Sequence, residues 1–125
     1  SEESYLINGI FYGVHNRLGR FHKEKQYADA LEMELKKLGI PYKREQRLSI
    51  QYKSCPVESG IADFVIENKI TVDIKAKKFI TKEDYFQILR YLQASNIELG
   101  MIVNFRNTYL KPKRVLNSRI NSRFG

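Results

Sequence analysis

The first forty residues carry apolar side chains at helical spacing. Two segments, 4–18 and 23–38, each place their apolar residues on one helical face. Gly19 and Gly39 follow the two segments and can end each helix in the left-handed conformation, and Pro41 prevents the second helix from resuming. The pattern therefore predicts two helices, whose apolar faces comprise Ile7, Ile10, Phe11, Val14 and Leu18, then Tyr27, Leu31, Leu35 and Leu38.

From residue 46 the apolar period changes to two. Residues 46–53 alternate strictly, which predicts a strand with one solvent-facing side. The next segment, 54–60, contains Pro56 and is interpreted as a loop. Residues 61–66 are apolar on both faces except for Asp63, which is typical of a central strand.

A turn and a second alternating strand follow. Residues 67–69 form the turn, and the strand over 70–77 places Asp73, Lys75 and Lys77 on the face opposite its apolar side chains. The two faces of this strand therefore differ in chemistry, one apolar and one charged.

The last part of the chain predicts one helix and one or two strands. Thr81 is a good N-cap with Asp84 three residues on, so a helix is expected to begin here and to end near Ser95. Residues 98–104 read as a strand, and a short strand is expected near 114–116. The element order α-α-β-β-β-α-β predicts an α/β fold, with a central sheet flanked by helices.

Composition narrows the class of protein. The 125 residues suit a single domain, 1–125, and 42% apolar with 29% charged residues is the balance of a globular chain. No apolar run is long enough to span a membrane, and the acidic start has no signal-peptide pattern, so a cytoplasmic location is expected. The single Cys55 excludes an internal disulfide framework and a cysteine-based zinc cluster.

Positive charge is concentrated at the end of the sequence. Residues 106–125 carry six basic residues and no acidic one, out of a net charge of +8. A basic tail on a nearly balanced body suggests contact with a polyanion, most simply nucleic acid. A merely solubilising tail is the alternative.

Asp63, Asp73 and Lys75 are the first candidates for chemistry. An unpaired carboxylate within an apolar strand costs several kcal/mol, so Asp63 needs a compensating partner. Two carboxylates that converge at a sheet edge suit Mg²⁺ or Mn²⁺, and a nearby lysine can hold a water or a phosphate. The alternative is a plain salt bridge between Lys75 and either aspartate.

The length of the turn decides whether the two aspartates meet. Directly opposed residues of an antiparallel pair point to the same face. A two-residue turn would pair Asp63 with Ile74 and separate the carboxylates, whereas a three-residue turn over 67–69 pairs Asp63 with Asp73. Asn68 tolerates the left-handed conformation that such a turn requires.

Three further residues are weaker candidates when each is taken alone. Glu24 is expected to direct its carboxylate along the core-facing side of the second helix, although an acid in a first turn is also favoured by the helix dipole. Gln87 and Tyr91 are four positions apart on the third helix, beside its apolar face. The plain interpretation of that pair is a half-buried polar edge.

Taken together, these residues resemble the PD-(D/E)XK nuclease superfamily. Asp63 followed by Asp73-Ile74-Lys75 is similar to its D…(D/E)-x-K core, with Ala62 in place of the proline. The segment 87–91 resembles the Q-x-x-x-Y element of its RecB-like branch. The segments 14–19 and 24–27 resemble the small group called GxxExxY proteins, although Arg20-Phe21 stands where that group usually has Pro-Gly.

The resemblance implies a restriction-endonuclease-like core, a mixed sheet flanked by helices, and a divalent metal, Mg²⁺ or Mn²⁺. Asp63, Asp73, the main-chain carbonyl of Ile74 and Glu24 would be its ligands. Lys75 would orient water and stabilise the phosphorane-like state. The resemblance also implies that Gln87 and Tyr91 orient the site or the phosphate backbone.

The implied activity is metal-dependent hydrolysis of nucleic-acid phosphodiester bonds, with DNA as the expected substrate. A homodimer is compatible with a cut in both strands. The alternative is a non-catalytic module for nucleic-acid binding or assembly on a nuclease-like fold. A weaker one is a structural oligomer that pairs through the strand 46–53. The residues expected to contact nucleic acid are Arg90, Arg106, Lys111, Lys113 and Arg114.

Overall fold

Two helices open the chain at the predicted places. The computed structural model describes residues 2–117, and it begins with α1 (Glu2–Leu18) and α2 (Glu24–Lys37). Gly19 and Gly39 both adopt left-handed conformations, with φ of 74° and 68°. They therefore end the two helices, as the sequence predicts.

The remaining elements follow in the predicted order. They are β1 (Tyr42–Tyr52), β2 (Cys55–Ile66), β3 (Ile70–Lys75), α3 (Lys82–Ser95), β4 (Leu99–Asn104) and β5 (Lys113–Leu116). The strands form one five-stranded sheet in the order β1-β2-β3-β4-β5. In the described part of the chain only β3 and β4 run parallel, with α3 as their connection, so the sheet is mixed as expected.

The prediction of a loop over 54–60 is wrong. Lys53 and Ser54, with φ of 49° and 66°, form a two-residue turn, and β2 begins directly after it. Pro56 lies opposite Gln51 of β1, but β2 pairs with β3 only from Phe64 onward. Pro56 is therefore in a part of β2 that pairs on one side, where a strand tolerates proline. The far end of the β1–β2 hairpin is therefore a two-stranded extension of the sheet.

Helices cover both faces of the sheet. The larger core packs α1 and α2 against the apolar residues of β2, β3 and β4, including Phe64, Val72 and Met101. The smaller core packs α3 against Ile102 of β4 and Val115 of β5. Successive side chains of β4 thus enter opposite cores, which gives a three-layer α/β/α arrangement.

The start of α3 has the predicted cap. The Thr81 hydroxyl accepts a hydrogen bond from the Asp84 N–H, and the Asp84 carboxylate accepts one from the Thr81 N–H. This reciprocal pair satisfies two N–H groups that the helix cannot bond itself.

Among residues 2–117, no helix is both long and apolar enough to cross a bilayer.

Candidate functional site

The turn between β2 and β3 has the length that brings the two aspartates together. Ile66 pairs with Ile70, which leaves the three residues 67–69 in the turn. Asn68 has a φ of 56°, the left-handed conformation that its side chain tolerates. Continuing this register by one step beyond the last pair, Phe64 with Val72, places Asp63 opposite Asp73. The predicted register is therefore confirmed.

The backbone pairing of β2 and β3 ends at this point, and a side chain of β2 bonds to the backbone of β3 instead. The Asp63 carboxylate accepts a hydrogen bond of 2.6 Å from the N–H of Ile74. The Asp63 carboxyl group is also close enough to that of Asp73 to raise the pKa of Asp73. We call this group, with Lys75, the strand fork.

Asp73 has an unusual acidity for a carboxyl group. Burial is the largest cause that raises its pKa, and the hydrogen bond with Asp63 adds to it. The positive charge of Lys75 opposes both effects, yet the pKa of Asp73 is raised to about 7. The positive charge near the two carboxyl groups is therefore insufficient to keep both of them fully ionised at neutral pH.

Lys75 is held among acids. Its Nζ lies 3.4 Å from Asp73 Oδ2 and 3.9 Å from Asp84 Oδ1. Burial alone would lower the pKa of Lys75, but the charges of Asp73, Glu24 and Asp84 outweigh it and raise that pKa. The salt bridge of the plain alternative is thus present, but it offsets the interaction between the two carboxyls only in part.

Glu24 stands at the mouth of the site. It lines a cleft of about 180 Å³ together with Asp63, Ile74 and Arg44. Glu24 is the first residue of α2 and is exposed, but it lines this cleft beside Ala28, a core residue of the same helix. It therefore faces the cleft on the side of α2 that packs on the sheet. Within residues 2–117, no three acidic, histidine or cysteine side chains are close enough to hold one metal ion.

Gln87 and Tyr91 do not join the strand fork by any hydrogen bond or ion pair among the described residues. Gln87 is exposed, and Tyr91 is buried against Ala62 and Val65 of β2. Burial raises the pKa of the Tyr91 phenol. Tyr91 therefore packs beside the strand that carries Asp63.

Asp84 and Asn104 belong to the site, although sequence reasoning gave Asp84 only a capping role and did not single out Asn104. Asp84 is 5% exposed and pairs with Lys77 at 2.5 Å in addition to Lys75. The Asn104 amide accepts from the Lys77 N–H and donates to the Lys77 carbonyl, which ties the ends of β3 and β4 together. The sequence signal available was a capping acid shortly after the D-x-K element.

The basic residues predicted to contact nucleic acid occupy different parts of the surface. Arg106 and Lys111 line one groove, whereas Arg90 pairs with Glu83 and Lys113 lies over the Tyr85 ring. Arg114 lines a separate pocket that also contains Glu3 and Glu98. The remaining basic residues of the tail, Arg119 and Arg123, are outside the described residues.

An α/β sheet that opens between two antiparallel strands, with two carboxyls and a lysine at the opening, defines a nuclease-like fold. The family model of the PD-(D/E)XK nuclease superfamily matches residues 1–115, and the chain belongs to that superfamily.

A solved structure titled "Crystal structure of SSO0001" has a similar fold, with a TM-score of 0.57 and 22% sequence identity. The match covers 74% of this chain and 50% of that one, so the chain spans about half the length of that protein. No curated protein matches the sequence. The narrower resemblance to GxxExxY proteins stays a prediction.

Proposed function

We propose that this protein is a divalent-metal-dependent nuclease that hydrolyses nucleic-acid phosphodiester bonds, with DNA as its substrate. The observation that carries the proposal is the strand fork, where Asp63 and Asp73 meet beside the ammonium group of Lys75. Superfamily membership supports the reaction class. Arg106 and Lys111, which have no ion-pair partner within residues 2–117, support a polyanionic substrate.

The donor set at the fork fits a hard divalent cation. Asp63, Asp73 and the main-chain carbonyl of Ile74 supply oxygen ligands, which Mg²⁺ and Mn²⁺ prefer. The raised pKa of Asp73 reflects an excess of negative charge at a buried position, and a bound cation would relieve that excess. Mg²⁺ commonly keeps several waters and uses one or two carboxylates, so Glu24, across the cleft, would act through water.

Each residue has a definite part in the proposed reaction. When bound, the metal supplies a Lewis acid that polarises the phosphoryl group. Lys75 is kept protonated by its acidic neighbours, so it acts as a cation that orients water and stabilises charge on the phosphate, and it is not a general base. Asp84 positions Lys75, and Tyr91 positions β2 through its packing on Ala62. Gln87, exposed on α3, is free to approach the phosphate backbone.

The test is calorimetric titration of Mn²⁺ into the wild type and Asp73→Ala, with labelled single- and double-stranded DNA as cleavage substrates. We expect metal binding and cleavage in the wild type and loss of both in the variant. Glu24→Gln is expected to weaken metal binding by about tenfold, as partners outside the direct ligand set do. Glu58→Ala is the matched control, because Glu58 is an exposed acid on the hairpin extension.

DNA binding without metal binding or cleavage would contradict the proposal. The protein would then be a non-catalytic binding module, and Lys75 a structural partner of Asp73.

A further inference from the structure

A groove lined by cationic and aromatic side chains lies outside the strand fork. It has a volume of about 570 Å³, and none of the residues that line it is acidic. Its main lining residues are Arg20, Lys78, Phe79, Arg106, Tyr109 and Lys111. We call it the cationic-aromatic groove.

The basic residues of this groove lack acidic partners among residues 2–117. Within the described part of the chain, none of its four basic residues has an ion-pair partner, and the Nε of Arg106 is buried without a hydrogen-bond partner. Three arginines outside the groove are paired within residues 2–117: Arg44 with Asp29 and Glu32, Arg47 with Glu58, and Arg90 with Glu83. Unpaired like charges that line one concave surface favour an anionic ligand.

Exposed aromatic rings alternate with these cations. Phe79 is 78% exposed and Tyr109 80% exposed. Nearby, Phe21 is 72% exposed, and its ring lies 4.7 Å from the Arg20 guanidinium carbon and 5.2 Å from that of Arg106. Large apolar rings that remain in water beside cations are suited to stacking on flat ligands.

Long-range contacts hold the walls of the groove in place. The Arg20 Nε donates to the Arg106 carbonyl at 2.7 Å, across 86 positions of the sequence. One His15 ring nitrogen lies 2.9 Å from the Asn107 carbonyl oxygen, and the Tyr27 hydroxyl donates to the Gly19 carbonyl. The arrangement therefore depends on packing and is not a chance meeting of two loops.

Two segments that line the groove come shortly after strands β3 and β4. Lys78 and Phe79 follow β3, and Arg106 follows β4. The Phe105 N–H donates to the Lys75 carbonyl, so the chain that carries Arg106 is bonded directly to the main chain of the fork. A ligand that followed the groove would reach the end of the sheet that carries Lys75.

We infer that the cationic-aromatic groove binds unpaired nucleotides of single-stranded DNA and leads them to the strand fork. The inference deepens the proposed nuclease function and rests on it for the role of the fork. Cations alone would suit either single strands or a duplex, because both carry phosphates. The exposed rings favour single strands, since only unpaired bases can turn a free face toward Phe79 and Tyr109.

The first experiment measures binding of fluorescein-labelled oligothymidylate by anisotropy, with the full-length protein in EDTA so that no cleavage occurs. Phe79→Ala and Tyr109→Ala are each expected to weaken binding about tenfold, the size of one lost base stack. Tyr5→Ala is the matched control, because Tyr5 is 84% exposed on α1 and lines a different pocket. Thermal melting of each variant checks that the fold is retained.

A second arm tests the charges. Lys111→Gln is expected to reduce the slope of log affinity against log salt by roughly 0.7, the value for one phosphate contact on a single strand. Lys37→Gln, an exposed lysine at the end of α2, is expected to leave the slope unchanged.

Three results would overturn the inference. They are equal losses in Tyr5→Ala and the groove variants, tighter binding of a duplex than of the single strand, and tighter binding of single-stranded RNA than of DNA. Because this assay omits metal, its outcome is independent of catalysis. If Phe79→Ala loses binding but the wild type does not cleave in Mg²⁺, the groove is supported and the nuclease function is contradicted. If the wild type cleaves but Phe79→Ala binds normally, the nuclease function is supported and the groove is contradicted.

Discussion

The strand fork and the cationic-aromatic groove lie at the same end of the sheet but treat charge in opposite ways. At the fork, Lys75 is half-buried and held between Asp73 and Asp84, while Asp63 is bonded to a backbone N–H. In the groove, Lys78 and Lys111 are exposed and without ion-pair partners among residues 2–117. The charges of the fork therefore interact mainly with each other, whereas the cations of the groove are available to bind a ligand.

The difference follows from the dielectric environment. Charges removed from water interact strongly with neighbours, which shifts pKa values and orients groups for chemistry. Exposed charges interact weakly with any one partner, but together they attract a polyanion over a long range. We therefore expect changes at the fork to affect the reaction and the stability, and changes in the groove to affect affinity.

Removal of the lysine at the fork is expected to have the largest effect. Lys75→Ala should lower the rate of DNA cleavage roughly 10³-fold, because the ammonium group stabilises charge that develops in a site with little water. Steady-state and single-turnover cleavage assays in Mg²⁺ measure the loss. Lys43→Ala, at an exposed position of β1, is the control and should cleave normally. A loss of less than tenfold in Lys75→Ala would remove the distinction between the fork and the groove.

The second prediction concerns stability and pH at Asp73. The pKa of this carboxyl is about 7 in the folded protein, against 3.8 for the ordinary group. Between those values the folded state holds a proton that the unfolded chain releases, so wild-type stability should fall as pH rises from about 4 to about 7. Above pH 7 the penalty is fully present.

Asp73→Asn removes that titration and should therefore stabilise the metal-free protein. At pH 8 in EDTA we expect its free energy of unfolding to exceed that of the wild type by about 2 kcal/mol, with near equality at pH 4. Urea unfolding at the two pH values measures the difference. A less stable variant at pH 8 would mean that the ion pair with Lys75 outweighs the contact with Asp63.

The smallest effect is expected at a cation that already has a partner. Arg90 pairs with Glu83 at 2.7 Å, and its side chain is 50% exposed. Arg90→Ala should change single-stranded DNA affinity by less than about twofold, since exposed pairs contribute little. The anisotropy assay described for the groove measures it, beside Lys111→Gln. A larger loss at Arg90 than at Lys111 would place the binding surface on α3 and not in the groove.

Much of the fold could be predicted because its signals are local. The apolar faces of α1 and α2, the glycines that end them, and the cap of α3 are each encoded within a few residues. The loop expected over 54–60 failed because a proline was taken to end pairing. Whether Pro56 can lie in a strand depends on the absence of a neighbour on one side, which is a property of the sheet.

The candidate site was predictable only in part, for the same reason. The spacing of Asp63 and Asp73 and the length of one turn suffice to bring two carboxyls together. The residues that neighbour Glu24 and Tyr91 in the sequence do not indicate that Glu24 is exposed at the cleft and that Tyr91 is buried against β2. Those positions depend on how helices pack on the sheet.

The sequence by itself determined the order of elements, the register of β2 and β3, and the excess of basic residues, because turn length, side-chain period and composition act over short distances. Only the tertiary structure decided that Asp84 holds Lys75 and that Arg20 meets Arg106 to build the groove. These residues are far apart in the chain. Their meeting depends on the burial of apolar faces on both sides of the sheet, which involves the whole domain.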